Sequence, residues 1–266
     1  MTKKRAAIRL VVSDLDGTLL DPERQMSQEA VDAVAALKER RIGFSFITGR
    51  PPYAVKPFAL RAGVKGPLAG CNGALIFEGE KVLARHSFRM EPLRTLLEEA
   101  AAQGMTVLFY SGGREYCLEE TEWTRSRLMP AWRPDWEKGE PAEKVNIFSE
   151  EKALSFAALL PQIKVLAESY SIAVYGSSGC EIVSRAVNKA SALAELCKLY
   201  NVLEEETLAI GDNENDTPML KAAGIGAAVA NAVESTKRAA DYICRESYSG
   251  GVVEAIRRFA LTDECR

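Results

Sequence analysis

Asp14 and Asp16 close an apolar run in the stretch Val11-Val12-Ser13-Asp14-Leu15-Asp16-Gly17-Thr18. Residues two apart in an extended chain project to the same side, so these carboxylates can share one metal ion or one phosphate. Gly17 lets the backbone turn sharply and approach a ligand closely. Three further groups have matching chemistry. Thr48 opens Thr48-Gly49-Arg50 at the end of a second apolar run. Lys189 stands at the start of a predicted helix, where the dipole repels a cation unless an anion is shared with it. Asp212 and Asp216 fall in Gly211-Asp212-Asn213-Glu214-Asn215-Asp216, and carboxylate oxygens suit a hard cation such as magnesium. Taken singly, each has an ordinary explanation: an acidic turn, a turn ending a strand, a solvated lysine, a capping turn with Asp216 as N-cap. Taken together, all fall at predicted strand ends or helix starts.

The elements that must position these groups alternate. "IRLVVS" is a strand, and Ser27 caps a helix whose apolar side includes Ala30, Val31, Val34 and Leu37. Ile42 to Thr48 is a second strand, and a helix follows Pro52 and fades by Gly63. Gly66 to Phe77 is short-stranded and rich in turns. After a long interval the alternation resumes with a helix marked by Leu193, Leu196, Cys197 and Tyr200. "TLAIGD" is then a strand, and "DTPMLKAAG" a short helix with Pro218 in its first turn and Gly224 as its stop. "IGAAVA", "NAVESTKRAA", "DYIC" and "GVVEAIRRFA" continue as strand, helix, strand and helix. This is the pattern of a parallel sheet with crossover helices. In an open parallel sheet, ligands bind off the carboxyl ends of the strands.

Between about Ala84 and Asn188 the texture changes. Trp123, Trp132, Trp136 and His86 all lie here. Residues 122–144 read as polar, aromatic, loop-rich surface, and "AVYGSSGCEIVS" reads as a hairpin turning near Ser178-Gly179. We expect an inserted second domain over 84–188, with a core domain formed by 1–83 and 189–266.

Composition excludes several functions. The formal net charge of -3 in 266 residues offers no basic footprint for nucleic acid. No apolar run is long enough to span a bilayer, so no membrane association is expected. The six cysteines have no CxxC spacing and the chain has one histidine, which argues against a Cys/His zinc site and against a Ser-His-Asp triad. Scattered cysteines without a secretion signal read as reduced thiols, so a cytoplasmic location is expected. Gly224 to Ala230 superficially resembles a dinucleotide fingerprint, but there a helix precedes and a strand follows, the reverse of what that fingerprint needs.

The set as a whole resembles the haloacid dehalogenase superfamily, in particular its Cof-like phosphatases with a large inserted cap (subfamily IIB). The matching stretches are "DLDGTLLD", "TGR", "NGA" (Asn72 to Ala74), "NKASAL", "GDNENDTPML" and "VANAVESTKRAADYI". The resemblance implies an α/β fold: a Rossmann-like core with a parallel sheet plus an inserted, mobile α/β cap of the C2 type. It implies a magnesium-dependent phosphatase that works through an aspartyl phosphate. Asp14 then matches the nucleophile and Asp16 the general acid/base. Thr48, with Gly49, Lys189 and Asn215, matches the groups that hold the phosphate. Asp14, Asp212 and Asp216, with the backbone carbonyl of Asp16, match the magnesium ligands. Relatives commonly have glycine after the lysine, where this chain has Ala190.

The expected substrate is a small phosphorylated metabolite such as a sugar phosphate, selected by the cap. A phosphomutase shares the same core motifs. A non-catalytic sugar-phosphate-binding protein on this scaffold should have lost Asp14 or Lys189, and both are present. A phosphorylatable receiver domain uses similar residues but is about half as long and has no insert.

Overall fold

A computed structural model describes residues 6–149, 154–175 and 178–262. The chain divides into two compact units, Met1–Ala84 with Asn188–Arg266, and Arg85–Val187.

The first unit is built on a five-stranded parallel sheet. Its strands run in the order Tyr242–Ile243, Ile225–Ala228, Thr207–Gly211, Leu10–Ser13, Gly43–Phe46. Leu10, Val11 and Val12 are buried, as a strand covered on both faces requires. The first strand in the chain is therefore interior to the sheet. The next strand, Gly43–Phe46, lies on one side of it. The chain later crosses to the other side with Thr207–Gly211. That reversal is a topological switch point, where such sheets open a crevice at their carboxyl ends. Register sharpens this, because Ser13 pairs with both Ile210 and Phe46. Asp14, Asp212 and Thr48 thus leave the sheet at nearly the same level.

Helices cover the sheet as their apolar spacing demands. Gln28–Glu39 is capped by the Ser27 hydroxyl, which accepts from the Ala30 N–H, and it buries Ala30, Ala33, Val34 and Leu37. Ala33 takes the place expected for Val31, which is only partly buried. Lys189–Tyr200 buries Ala192, Leu193, Leu196 and Cys197. The helix Thr217–Ala222 ends where Ala223 turns extended. Gly224 is not its left-handed stop. A Cβ there would lie 2.1 Å from the Glu205 carbonyl oxygen, so close backbone approach is what requires glycine. A smaller three-stranded sheet holds Leu68–Gly70, Leu75–Glu78 and Lys81–Arg85.

The second unit is a sheet domain whose main strands, apart from the start of Lys144–Phe148, lie outside the loop-rich stretch 122–144. Its main sheet is antiparallel throughout, in the order Tyr170–Tyr175, Gly179–Ser184, Lys144–Phe148, Thr106–Ser111, Arg114–Cys117. One core joins Val107, Phe109, Val145, Ile147 and Ile182 to Leu96 and Leu97 of the helix Arg94–Ala102 and to Phe156 and Leu159 of Leu154–Leu166. Trp132 and Trp136 pack against that core. Trp123 instead meets the Phe148 ring edge-on at 5.1 Å. The expected hairpin is present, but Gly179 is already in its second strand, paired with Tyr175. Of its turn, residues 176 and 177 lie outside the described residues.

Candidate active site

The strand Leu10–Ser13 delivers Asp14 to the switch point and continues to hold it. The Asp14 N–H donates to the Ile210 carbonyl at 3.0 Å, one pairing beyond the strand's end. The turn that follows needs Gly17, whose φ is +80° and whose added Cβ would lie 2.5 Å from Asp212 Oδ2. The Thr18 hydroxyl donates to Asp212 Oδ1 at 2.7 Å. From outside the turn, Asn231 Nδ2 donates to the Gly17 carbonyl at 2.7 Å and Ser249 Oγ to the Leu19 carbonyl at 2.6 Å. These contacts fix both ends of the acidic loop against distant parts of the chain.

Lys189 begins its helix, as expected, but it is not solvated. Its side chain is 1% exposed, and Nζ donates to Asp14 Oδ1 at 2.6 Å and to Asp216 Oδ1 at 2.5 Å. The helix N-terminus itself is closed off. Asn188 Oδ1 accepts from the Ala190 and Ser191 N–H groups at 2.8 and 3.0 Å. The ammonium, not the helix's free donors, therefore faces the acids. The second oxygen of Asp216 accepts from the Asp212 and Asn213 N–H groups, both at 2.9 Å. Asp216 thus organises the strand-to-helix turn through its side chain but does not cap the helix that follows it.

Carboxylate oxygens of Asp14, Asp212 and Asp216 lie within 4.8 Å of one another. This crowding has an electrostatic signature. Burial pushes the Asp14 carboxyl well above its ordinary range, with Asp216 and Asp212 adding to the rise and Lys189 opposing it. Burial, then Asp216, pushes Asp212 up to about 6. Burial disfavours the Lys189 charge, but Asp14 and Asp216 outweigh it and hold the lysine protonated more firmly than usual. Three acids and one cation leave negative charge that favours a further cation, and the donors are all oxygen, as a hard divalent ion prefers.

Thr48 is 1% exposed and held from both sides. Its N–H donates to the Ala69 carbonyl at 3.0 Å and its carbonyl accepts from Asn72 N–H at 2.8 Å. Gly49 follows in the same loop. Asn72 lies in a left-handed run, Cys71, Asn72 and Gly73, with φ of 51°, 56° and 102°. Successive non-glycine residues in that region are strained, and such strain collects at functional sites. Asn72 Oδ1 accepts from Asn215 Nδ2 at 3.3 Å, which links the Thr48 loop to the acidic turn.

The structure therefore brings Asp14, Lys189, Asp212 and Asp216 together, and ties Thr48 to Asn215 through Asn72. Asp16 is different. Its side chain is 51% exposed and its carboxylate is gripped by Arg50, Nε to Oδ2 at 2.7 Å and Nη2 to Oδ1 at 2.5 Å. Arg50, Asn72 and Asn231 were not singled out by sequence reasoning. Each lies in a stretch that the resemblance covers, yet its partner is far away along the chain.

Comparison with known proteins follows the same lines. A family model described as haloacid dehalogenase-like hydrolase matches residues 11–256. A phosphoglycolate phosphatase of Methanosarcina acetivorans is 30% identical over 255 residues, covering 93% of this chain and 95% of its own. Another phosphoglycolate phosphatase, from Methanoculleus marisnigri, is 27% identical over 261 residues, covering 95% and 97%. Among solved structures, a haloacid dehalogenase-like hydrolase from Bacteroides thetaiotaomicron superposes with a TM-score of 0.77 at 26% identity, covering 94% of this chain and 99% of that one.

Proposed function

The chain belongs to the haloacid dehalogenase-like hydrolases, of the Cof-like kind, and from that premise we propose that it hydrolyses small phosphomonoesters through an aspartyl-phosphate intermediate, with magnesium as cofactor. The observation that carries the reading is the buried Lys189 ammonium shared between Asp14 and Asp216 at the sheet's switch point. Phosphoryl transfer asks for an in-line nucleophile and for neutralised phosphate charge. Asp14 supplies the first and Lys189 part of the second.

In the first step an Asp14 oxygen attacks phosphorus, the bond to the leaving oxygen breaks, and Asp16 gives that oxygen its proton. In the second step water attacks the phosphorus of the aspartyl phosphate and passes a proton to Asp16, while the bond between phosphorus and the Asp14 oxygen breaks, releasing inorganic phosphate and restoring the Asp14 carboxylate. Thr48, Gly49 and Asn215 hold the transferring phosphate. Asp14, Asp212 and Asp216, with the Asp16 carbonyl, would hold magnesium, which when bound neutralises the charge of phosphate and nucleophile. Residues 84–188 are assigned to selecting the leaving group. The relatives named phosphoglycolate phosphatase make short phosphorylated hydroxy acids, beside sugar phosphates, the substrates to try first. The expected cytoplasmic location belongs to the same reading. Among the described residues, no helix is long and apolar enough to cross a membrane.

Intact-protein mass after mixing with an aryl phosphate and magnesium tests the scheme. Asp16→Asn should accumulate one added phosphate, because nothing deprotonates the water of the second step. Asp14→Asn should gain none. Phosphate on the Asp14 variant would overturn the assignment of the nucleophile. In the unmodified protein, label should end as inorganic phosphate. Transfer to a second sugar hydroxyl would make the protein a mutase.

A further inference from the structure

We propose that Arg50 is the positioning residue for Asp16, holding its carboxylate beside the nucleophile so that it faces the leaving-group oxygen. The inference rests on the phosphatase reading above. Asp16 lies beyond the grip of the buried acids. Its side chain is 51% exposed, and a carboxylate in that setting rotates among rotamers unless something holds it. The guanidinium does hold it, by two parallel bonds of 2.7 and 2.5 Å. Such a fork fixes the orientation of a carboxylate as a single ammonium cannot.

Arg50 is itself anchored. Its N–H donates to Thr48 Oγ1 at 3.2 Å and its carbonyl accepts from Cys71 N–H at 2.9 Å. A Cβ on Gly70 would stand 2.9 Å from that carbonyl oxygen, so the strand Leu68–Gly70 approaches closely because residue 70 is glycine. The guanidinium carbon rests 4.8 Å from the centroid of the Phe58 ring, on the helix Pro52–Arg61. A fixed backbone below and an aromatic face beside it leave the fork few ways to move. With both oxygens of Asp16 engaged, one bond must open when a leaving group arrives. The other is retained, and the released oxygen, carrying the proton that Asp16 took from water in the second step of the preceding turnover, then faces the leaving group. Arg50 touches no reacting atom in this scheme and acts through Asp16.

Leaving-group dependence separates positioning from a merely structural role. Phenoxide leaves poorly without a proton, whereas nitrophenoxide leaves without one. Arg50→Gln should lower the rate of phosphoenzyme formation, read as the pre-steady-state burst of released phenol or nitrophenol, about tenfold more on phenyl phosphate than on p-nitrophenyl phosphate, a part of the loss expected on removing a general acid altogether. KM should stay within about threefold on both substrates, because the phosphate-holding groups are untouched. Arg50→Lys should not restore the lost discrimination, since it returns the charge without the fork. Phe58→Leu, which keeps Arg50 and removes its aromatic face, should shift the same ratio in the same direction by a smaller factor. Equal losses on the two substrates, or full rescue by lysine, would overturn the inference. Asp16→Asn is the control for the reading beneath it. Because the second step stalls in that variant, it is compared by the rate of phosphoenzyme formation in a single turnover: if that rate shows no preference for the better leaving group, Asp16 is not the acid and the phosphatase scheme is what has failed. If it shows the preference and Arg50→Gln does not, the positioning role alone has failed.

Discussion

The Lys189 ammonium lies 2.6 Å from Asp14 Oδ1 across 175 residues of chain, and both side chains are almost wholly buried. A buried ion pair is weak evidence for stability, but removal of one partner leaves an uncompensated charge. Lys189→Met should abolish measurable turnover. It should also destabilise the metal-free protein by about 3 kcal/mol at neutral pH, read by denaturant unfolding. The loss should shrink in acid, where Asp14, whose carboxyl burial already pushes up, takes a proton. An unchanged unfolding midpoint at neutral pH would mean that the lysine does not hold these acids in solution.

Gly17 tests the backbone of the same site. An alanine there must adopt φ of +80° and push its Cβ to 2.5 Å from Asp212 Oδ2. Either Asp212 moves or the turn does, and both displace an acid of the cluster. Gly17→Ala should cost about 1–3 kcal/mol in folding stability and should weaken magnesium binding measured by calorimetry. Gly63→Ala is the comparison, because Gly63 also has positive φ, +67°, but no atom within 4 Å of its added Cβ. It should lose some stability and keep its metal affinity.

The acidity of the cluster predicts how cation affinity depends on pH. Burial and Asp216 lift Asp212 to about 6 in the metal-free protein, and Asp14 is raised as well. A proton on either acid competes with a cation, so affinity must fall as pH falls. Magnesium binding by calorimetry should be about tenfold or more weaker at pH 5 than at pH 7, with protons released on binding near pH 6. Binding that is independent of pH across this range would place the cation elsewhere.

These sites were unequally legible in the sequence. Asp14, Thr48 and Asp212 announce themselves because each interrupts an apolar run, and the end of a buried strand is visible as that change of texture. Lys189 was visible as a cation on the wrong end of a helix. Arg50 and Asn72 were not, since their roles depend on side chains 34 and 143 positions away. The sheet of the inserted unit was equally hard to read. Its strand Lys144–Phe148 buries Val145 and Ile147 toward the hydrophobic core but also buries Lys144, paired with Glu181 at 2.6 Å. A lysine in a buried strand position blurs the alternation by which a half-buried strand is recognised.

Asn231 was missed for the same reason, and it carries a prediction of its own. It lies beyond the strand Ile225–Ala228 and reaches back 214 residues to the Gly17 carbonyl at 2.7 Å. Its other end accepts from the Tyr248 N–H at 3.0 Å, where Tyr248 itself is strained at φ of 52°. One amide thus joins the acidic loop to the start of the helix Tyr248–Phe259. A donor and an acceptor are both used, so aspartate, which resembles asparagine in shape, cannot replace it: its oxygen would face the Gly17 carbonyl without a proton. Asn231→Asp and Asn231→Ala should each lose about 1–3 kcal/mol of stability. Because the loop they loosen carries Asp14 and Asp16, both should also lower kcat by more than they raise KM. The aspartate variant should regain part of its activity as pH falls and its carboxyl gains a proton that it can donate to Gly17. The alanine variant should not. Identical pH profiles for the two variants would show that the Asn231 to Gly17 bond does not hold the loop.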